Sequence, residues 1–463
     1  MSRADAAEMG GMLSEEGFAA SKARSVAAAA ESRRVLNLGR ELPRTGTRSD
    51  DFPMGPGSEE KPKWVLGKQF CVLEGQLYFM SLRDENKLKE LEEWSRRTGI
   101  KPDRSFFSTD SELLYYPFCA DFGPLNFANV YRFCQTVNQK LAQAKQEGKK
   151  LVYYCSSDAR LRTNSATLLG CYLILERRWS AQEAWQPFDF AGRSPFLRYR
   201  DASFDAANFE LDILDVLSAV ERAMNVGIMD FGKFDLEEYE YYDHPAVADL
   251  HVIVPGRFVA FKGPKSKRRN FESYCELTPA DYTDIFSRLN VSAVIRLNDK
   301  QYNEEDFVKK NIHHYDLYFD DCTTPPANIV IRFFQICSKE KGSIAIHCKA
   351  GLGRTGTLIC LWMMRKYKFS GKEAIAYNRV MRPGSILGPQ QQYLEDLQDA
   401  MWKAGDPDVP GCSDDRKLIG MMTAAINAAN EHTSAEDAAR RAQENTDAMN
   451  RRAGNMMNVT RMD

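Results

Sequence analysis

The segment Ser343-Ile344-Ala345-Ile346-His347 is a short apolar, β-prone run that stops at a glycine-rich turn, and Thr357 to Met364 follows as an almost unbroken apolar stretch. The pattern predicts a strand, a loop and a buried helix. The same order occurs upstream. Leu151-Val152-Tyr153-Tyr154-Cys155 predicts a strand, Ser156 to Arg162 a polar turn, and Ala166 to Ile174 an apolar helix. The two copies stand a whole domain apart, which predicts an α/β protein of two tandem domains, each a central sheet flanked by helices. Between them Leu211, Ile213, Leu214, Val216, Leu217, Val220 and Met224 recur at helical spacing.

The flanks are patterned differently. Residues 1–62 are rich in Ala, Ser, Arg, Gly and Glu with few large apolar side chains before Phe52, so burial cannot offset their ordering entropy. A disordered arm is expected there, with a transient helix over Ala19 to Arg34. Apolar density rises at Trp64 and holds to about Trp402. The expected organisation is a first domain over 63–232, an acidic, tyrosine-rich linker helix over 233–249, a second domain over 250–405, and a tail over 406–463. That tail reads as a solvated segment or, alternatively, an amphipathic helix for a partner.

Composition narrows the classes. With 463 residues, 43% apolar and 11% aromatic, the chain can bury two or three cores. Its 62 Lys+Arg and 64 Asp+Glu nearly cancel to a formal charge of -2, so no global field argues for nucleic acid or an anionic membrane. No apolar run reaches the ~20 residues that span a bilayer, and the acidic N-terminus does not resemble a targeting signal. The 11 cysteines show neither CxxC nor Cys/His ligand spacing. A soluble protein in a reducing compartment, without structural zinc, is expected.

The candidate chemistry sits at the second turn, His347-Cys348-Lys349-Ala350-Gly351-Leu352-Gly353-Arg354-Thr355-Gly356. A phosphoryl dianion needs many donors converging on one centre. The amides of Lys349, Ala350, Gly351, Leu352, Gly353 and Arg354 can curl around it if Gly351 and Gly353 take unusual φ values, and the following helix N-terminus adds its positive end. Such a ring also stabilises a thiolate, the reactive form of a cysteine nucleophile. Arg354, six positions after Cys348, supplies a planar fork for bidentate phosphoryl binding, and Thr355 places a hydroxyl beside the sulfur.

Cysteine, five residues and arginine form the signature of protein tyrosine and dual-specificity phosphatases, and His347 to Thr357 resembles the cell-division-cycle-fourteen (mitotic-exit) class in particular. Asp121 to Asn126, Phe319 to Pro325, Arg382 to Ser385 and Gly388 to Gln392 resemble it too, so the likeness covers roughly Gln69 to Trp402. The resemblance implies a cofactor- and metal-independent hydrolase working through a phosphocysteine on Cys348. It implies Asp321 as the acid, with Asp320 the neighbouring competitor, and Gln391, among three consecutive glutamines, as the residue orienting the hydrolytic water. It further implies phosphoprotein substrates of proline-directed kinases, phosphoserine followed by proline with a basic residue downstream. The linker would receive that base through Glu240, with Glu237, Glu238 and Asp243 nearby. Roles in cell-cycle and cell-division control follow by the same likeness. So does a place in cytoplasm and nucleus, with centrosome, spindle pole or basal body as further stations; Lys265 to Arg269 is a candidate nuclear-import run.

Two departures carry expectations. Cys322 stands where the family has glycine after the acid, and is a candidate resolving thiol for oxidised Cys348. In the upstream copy, Leu161 lies six positions after Cys155, Ser156-Ser157-Asp158-Ala159 replace the glycines, and Arg160 and Arg162 flank the needed position. The first domain is therefore expected to be inactive. The rival readings are a phosphoinositide phosphatase, against which apolar Leu352 argues, and a phosphoprotein-binding pseudophosphatase scaffold.

Overall fold

The computed structural model describes residues 61–83, 86, 89, 93, 102–272, 274–405, 416–417 and 419–435. The expected helix over Ala19 to Arg34, with nearly all of the N-terminal arm, lies outside the described residues. The described chain divides into two compact units. The first ends at His251 and takes in Arg269–Glu276 and Arg379–Pro383; the second holds Val252–Arg268, Leu277–Asn378 and the chain from Gly384.

In the first unit a four-stranded sheet runs β1 (Phe70–Leu73), β2 (Leu77–Leu82), β4 (Lys150–Ser156), β3 (Arg104–Phe107). β1 and β2 are antiparallel, whereas β4 lies parallel to both of its neighbours. β4 is central, which is why Leu151, Val152, Tyr153 and Cys155 are all buried in a near-continuous apolar run. Helix α1 (Phe127–Gln146) is capped by Asn126, whose side chain accepts from the Asn129 amide. Helix α2 (Ala159–Arg177) follows β4 directly and buries thirteen of its nineteen residues, so it lies inside the unit. The recurrent apolar positions between the two copies form α3 (Ile213–Asn225), opened by an Asp212–Asp215 capping box. Gly170 in α2 lets α3 approach, since a Cβ there would stand 2.6 Å from Leu217. The acidic stretch forms α4 (Leu236–Asp243) and belongs to this first unit.

The second unit carries a sheet of order β10-β9-β11-β6-β5, with β5 at Leu250–Val254, β6 at Phe258–Phe261, β9 at Val291–Arg296, β10 at His313–Asp316 and β11 at Ser343–His347. A short antiparallel pair, β7 (Arg269–Asn270) and β8 (Cys275–Glu276), belongs to the first unit. β11 is parallel to β9 and to β6, and every residue of it is buried. Helix α5 (Pro279–Arg288) precedes β9, and α6 (Ala327–Lys339) precedes β11. The expected apolar helix is α7 (Gly353–Tyr367), which ends at Lys368 in the left-handed conformation. Then come α8 (Gly371–Met381), α9 (Pro389–Asp396) and α10 (Gln398–Ala404). In the expected tail, residues 419–435 are helical and bury Met422, Ile426, Ala429 and Thr433 along one face. That spacing belongs to a packed helix, so this stretch is not the solvated segment that composition suggested.

No helix among the described residues is long and apolar enough to cross a membrane, and no cluster of His, Cys, Asp and Glu among them is arranged to hold a metal ion.

Candidate active site

β11, the central strand, places Cys348 just beyond its C-terminal end, where the residue is 3% exposed, and α7 begins five residues later. Gly351 turns the loop with φ +70, a conformation in which any other residue is strained. Gly353 does not take an unusual φ: it opens α7, and its missing Cβ serves a close approach. A Cβ there would lie 2.8 Å from Gln390 Oε1. The expectation for the second glycine is corrected accordingly, from backbone freedom to packing space. Lys349 is exposed, Ala350 half-buried, and Gly351 and Leu352 are buried, with Leu352 at the helix N-cap position.

Arg354 is folded into this loop with its side chain 4% exposed. Its Nη1 donates to the carbonyls of Phe319 at 2.8 Å and Leu297 at 3.3 Å, and its Nη2 stands 3.1 Å from Asp321 Oδ1. The buried Nε of Arg354 and the buried Oγ1 of Thr355 have no hydrogen-bond partner. Buried polar groups are ordinarily satisfied, so two orphans in the loop that follows Cys348 mark a place suited to an anion.

The structure separates the two aspartates. Asp320 Oδ1 accepts from Tyr318 Oη at 2.8 Å, on the exposed side, and it is Asp321 that reaches Arg354. Cys322 has φ +58, which is the physical reason a glycine suits this position. Although solvent reaches Cys322, partial desolvation, followed by the Asp321 charge, pushes its thiol up to about 11. Of the glutamines on α9, Gln390 donates from Nε2 to Thr323 O at 3.0 Å and accepts from the Leu387 amide at 3.0 Å, so both ends of its amide are committed. Gln391 is fully buried and donates to Gly388 O at 3.2 Å.

A second layer escaped sequence reasoning. His347 sits 3.0 Å through Nδ1 from the carbonyl of Cys348 and 2.8 Å through Nε2 from Tyr302 Oη, which is 2.8 Å from His314 Nε2. Burial pushes the His347 imidazole down to about 3, and burial followed by the Arg296 charge pushes His314 down to about 4, so both are neutral near pH 7. The donors are then determined. A carbonyl only accepts, so His347 Nδ1–H donates to it. Nε2 must accept from the Tyr302 hydroxyl, and that hydroxyl accepts from His314. Gly263 closes the other side: its amide donates to Lys349 O at 3.2 Å, and a Cβ on it would stand 2.3 Å from Cys348 O. A glycine in Phe261-Lys262-Gly263-Pro264 was the one visible signal.

The acidic residues of α4 fare differently. Glu240 and Asp243 are buried. Glu240 Oε1 accepts from Arg132 Nε at 3.1 Å and from its Nη2, and Asp243 Oδ1 lies 3.1 Å from His251 Nε2. Glu237 and Glu238 are exposed at the first turn. Where the expectation placed a basic substrate residue, Glu240 is paired internally with Arg132, and Asp243 faces the buried His251 ring.

The upstream loop shows how the same architecture loses an anion site. Cys155 lies within β4, and burial, with the Asp110 charge, pushes its thiol up to about 12. The Ser156 amide donates to Asp110 Oδ2 at 2.6 Å, while Asp158 Oδ1 accepts from the amides of Arg160 and Leu161 at 2.8 and 3.1 Å. The protein's own carboxylates occupy the donors a phosphate would use. Arg162 is turned away, donating to Ser157 O and Pro195 O.

The Cys348 loop, its arginine and the carboxylate held over it are the parts of a cysteine-dependent phosphatase. The family model for the dual specificity protein phosphatase, N-terminal half, matches residues 71–223, and that for the dual specificity phosphatase, catalytic domain, matches residues 272–401. The chain is 42% identical over 334 residues to the dual specificity protein phosphatase CDC14A of Homo sapiens, covering 72% of this chain and 54% of that protein. It is 42% identical over 301 residues to CDC14C of Homo sapiens, covering 65% and 67%, and 36% identical over 336 residues to the tyrosine-protein phosphatase cdc-14 of Caenorhabditis elegans, covering 72% and 46%. The chain belongs to the CDC14 family of dual specificity protein phosphatases. It spans about half the length of CDC14A and cdc-14.

Proposed function

We propose that the protein hydrolyses phosphoserine and phosphothreonine, with proline-directed sites carrying a downstream basic residue preferred, and phosphotyrosine, through a phosphocysteine on Cys348. The orphaned Arg354 Nε and Thr355 Oγ1 beside that cysteine carry the reading. The phosphoryl group sits on the amides of Lys349 to Arg354 and on the Nε–Nη2 edge of Arg354, beside Asp321, which enters the reaction as the protonated carboxylic acid. Cys348 Sγ attacks phosphorus as the bond to the substrate oxygen breaks, and Asp321 gives that oxygen its proton. Asp321, now a carboxylate, takes a proton from water. The water's oxygen attacks phosphorus, releasing phosphate and the thiolate, which the Thr355 hydroxyl stabilises. By family membership Gln391 is assigned the orienting of that water.

The preference for a downstream base, the roles in cell-cycle, mitotic or basal-body control, and the place in cytoplasm and nucleus, with centrosome, spindle pole or basal body as further stations, rest on family membership. Exposed Glu237 and Glu238 are the acids assigned to the base. The test is a phosphopeptide array with a phosphoinositide arm, comparing wild type with Cys348→Ser. Release from Ser-Pro peptides with a downstream Lys or Arg, abolished by the substitution, is expected. Release that survives it, turnover confined to phosphoinositides, or none from wild type overturns the reading.

A further inference from the structure

The loop that carries Asp321 has little apolar anchorage, since residues 320–323 are exposed. Hydrogen bonds at its two shoulders set its position. Arg354 holds the first shoulder through Phe319 O. At the second shoulder Gln390 Nε2 donates to Thr323 O, and Tyr393 Oη donates to Pro325 O at 3.0 Å. A third group arrives there from a distant part of the chain. Asn430, in the helical stretch 419–435, accepts through Oδ1 from Thr324 Oγ1 at 2.6 Å and donates through Nδ2 to Pro325 O at 3.3 Å. The Pro325 carbonyl can only accept, which determines the amide's orientation. The helix presenting Asn430 is seated by its buried Met422, Ile426, Ala429 and Thr433, and His432 Nδ1 pairs with Asp396 Oδ2 at 2.7 Å, on the helix that carries the glutamines.

We propose that residues 419–435 act on phosphoryl transfer through this clamp, with Asn430 a positioning residue for Asp321. The inference rests on the assignment of Asp321 as the acid. Both polar ends of one amide grip two consecutive residues, Thr324 and Pro325, immediately after the acid loop. Releasing them restores backbone freedom to the loop and lowers the fraction of time the Asp321 carboxyl spends near the leaving oxygen. The effect falls on substrates that need the proton.

The test is kcat/KM of the full chain on two substrates: a phosphoserine peptide, whose alkoxide must be protonated to leave, and an aryl phosphate whose phenolate leaves unaided. Asn430→Ala is expected to lower the peptide value about fivefold, the worth of one or two net hydrogen bonds, and to leave the aryl value within about twofold. Asn430→Asp, which keeps the acceptor for Thr324 and loses the donor to Pro325, is expected to fall between. In an Asp321→Asn background, Asn430→Ala is expected to have no further effect, since a clamp without its acid has nothing to position. Equal losses on both substrates, additive losses in that background, or no loss on the peptide overturns the inference. If Asp321→Asn is selective for the peptide and Asn430→Ala is silent, the clamp alone fails. If Asp321→Asn is not selective, the acid assignment fails and the clamp with it.

Discussion

Glu240→Lys separates two accounts of the acidic helix. If Glu240 lined a surface for a basic substrate residue, charge reversal would lower turnover of peptides with a downstream Lys or Arg and leave both p-nitrophenyl phosphate turnover and stability intact. The structure predicts otherwise. The side chains of Arg132 and Glu240 are 4% and 8% exposed, and Glu240 Oε1 takes two donors from the one guanidinium. Removing one partner of a buried pair leaves the other charge uncompensated, at a cost of roughly 3–5 kcal/mol, and a lysine adds repulsion to that. For a unit of this size each kcal/mol moves the melting temperature by about 2–4 °C, so a fall on the order of 10 °C is expected. Thermal unfolding measures it, and hydrogen exchange over α1 and α4 should localise the loss there. The exchanged pair Arg132→Glu with Glu240→Arg should recover part of it, since both charges are again matched. A Glu240→Lys protein melting within about 2 °C of wild type, with selective loss on base-containing peptides, would refute this reasoning.

Gly263→Ala tests the support of the nucleophile's backbone. Its Cβ would stand 2.3 Å from Cys348 O and 3.0 Å from His347 Nδ1, so the Cys348 loop must shift. Steady-state kinetics should show kcat/KM down by roughly 10²-fold on every substrate, aryl phosphates included, because the whole phosphate cradle moves. Acidification tests the neutral histidines. Burial depresses His347 to about 3 from its ordinary 6.5, so below pH 6.5 the unfolded chain binds a proton that the folded chain refuses. The stability from keeping it neutral is present above pH 6.5 and is lost as pH falls toward 3, at about 1.4 kcal/mol per pH unit. Urea midpoints measured from pH 7 to 5 should fall accordingly, and His347→Gln should flatten that slope.

What could be read in the sequence was local. The strand, loop and helix around Cys348 follow from apolar runs a few residues long, and Arg354 and Thr355 share the loop with the cysteine, so their spacing sufficed. Where a side chain's partner lies far along the chain, the reading failed or stayed open. Glu240 looks like one charge in an acidic run because Arg132 is 108 positions away. Asp320 and Asp321 are equivalent as letters; Tyr318 takes the first and Arg354 the second. Tyr302 and His314 carry no motif at all; His314 stands on β10, Tyr302 in the loop after β9, and only the folded unit brings Tyr302 between His314 and His347. Residues 419–435 showed a helical apolar spacing that composition outweighed, because Ala and Asn dilute Met422 and Ile426.

The two strand-to-helix turns show that a helix N-terminus at the end of a central strand is not by itself an anion site. Both turns present backbone amides and a positive helix end. In the first unit Asp110 and Asp158 fill that demand from within, Arg162 faces carbonyls, and the thiol of Cys155 is held protonated inside the strand. Each of these changes removes one requirement for phosphoryl transfer, so restoring an arginine at Leu161 would leave two carboxylates on the amides and a thiol out of reach. In the second unit the loop residues 349–353 carry no carboxylate, Cys348 stands one residue beyond its strand, and Arg354 points inward with Nε unpartnered. The nearby carboxylate is that of Asp321, which meets Arg354 at Nη2. Asp110 and Asp321 both come from loops outside their turns, so what separates the two units is where the carboxylate lands: Asp110 takes the Ser156 amide, whereas Asp321 meets the Arg354 guanidinium.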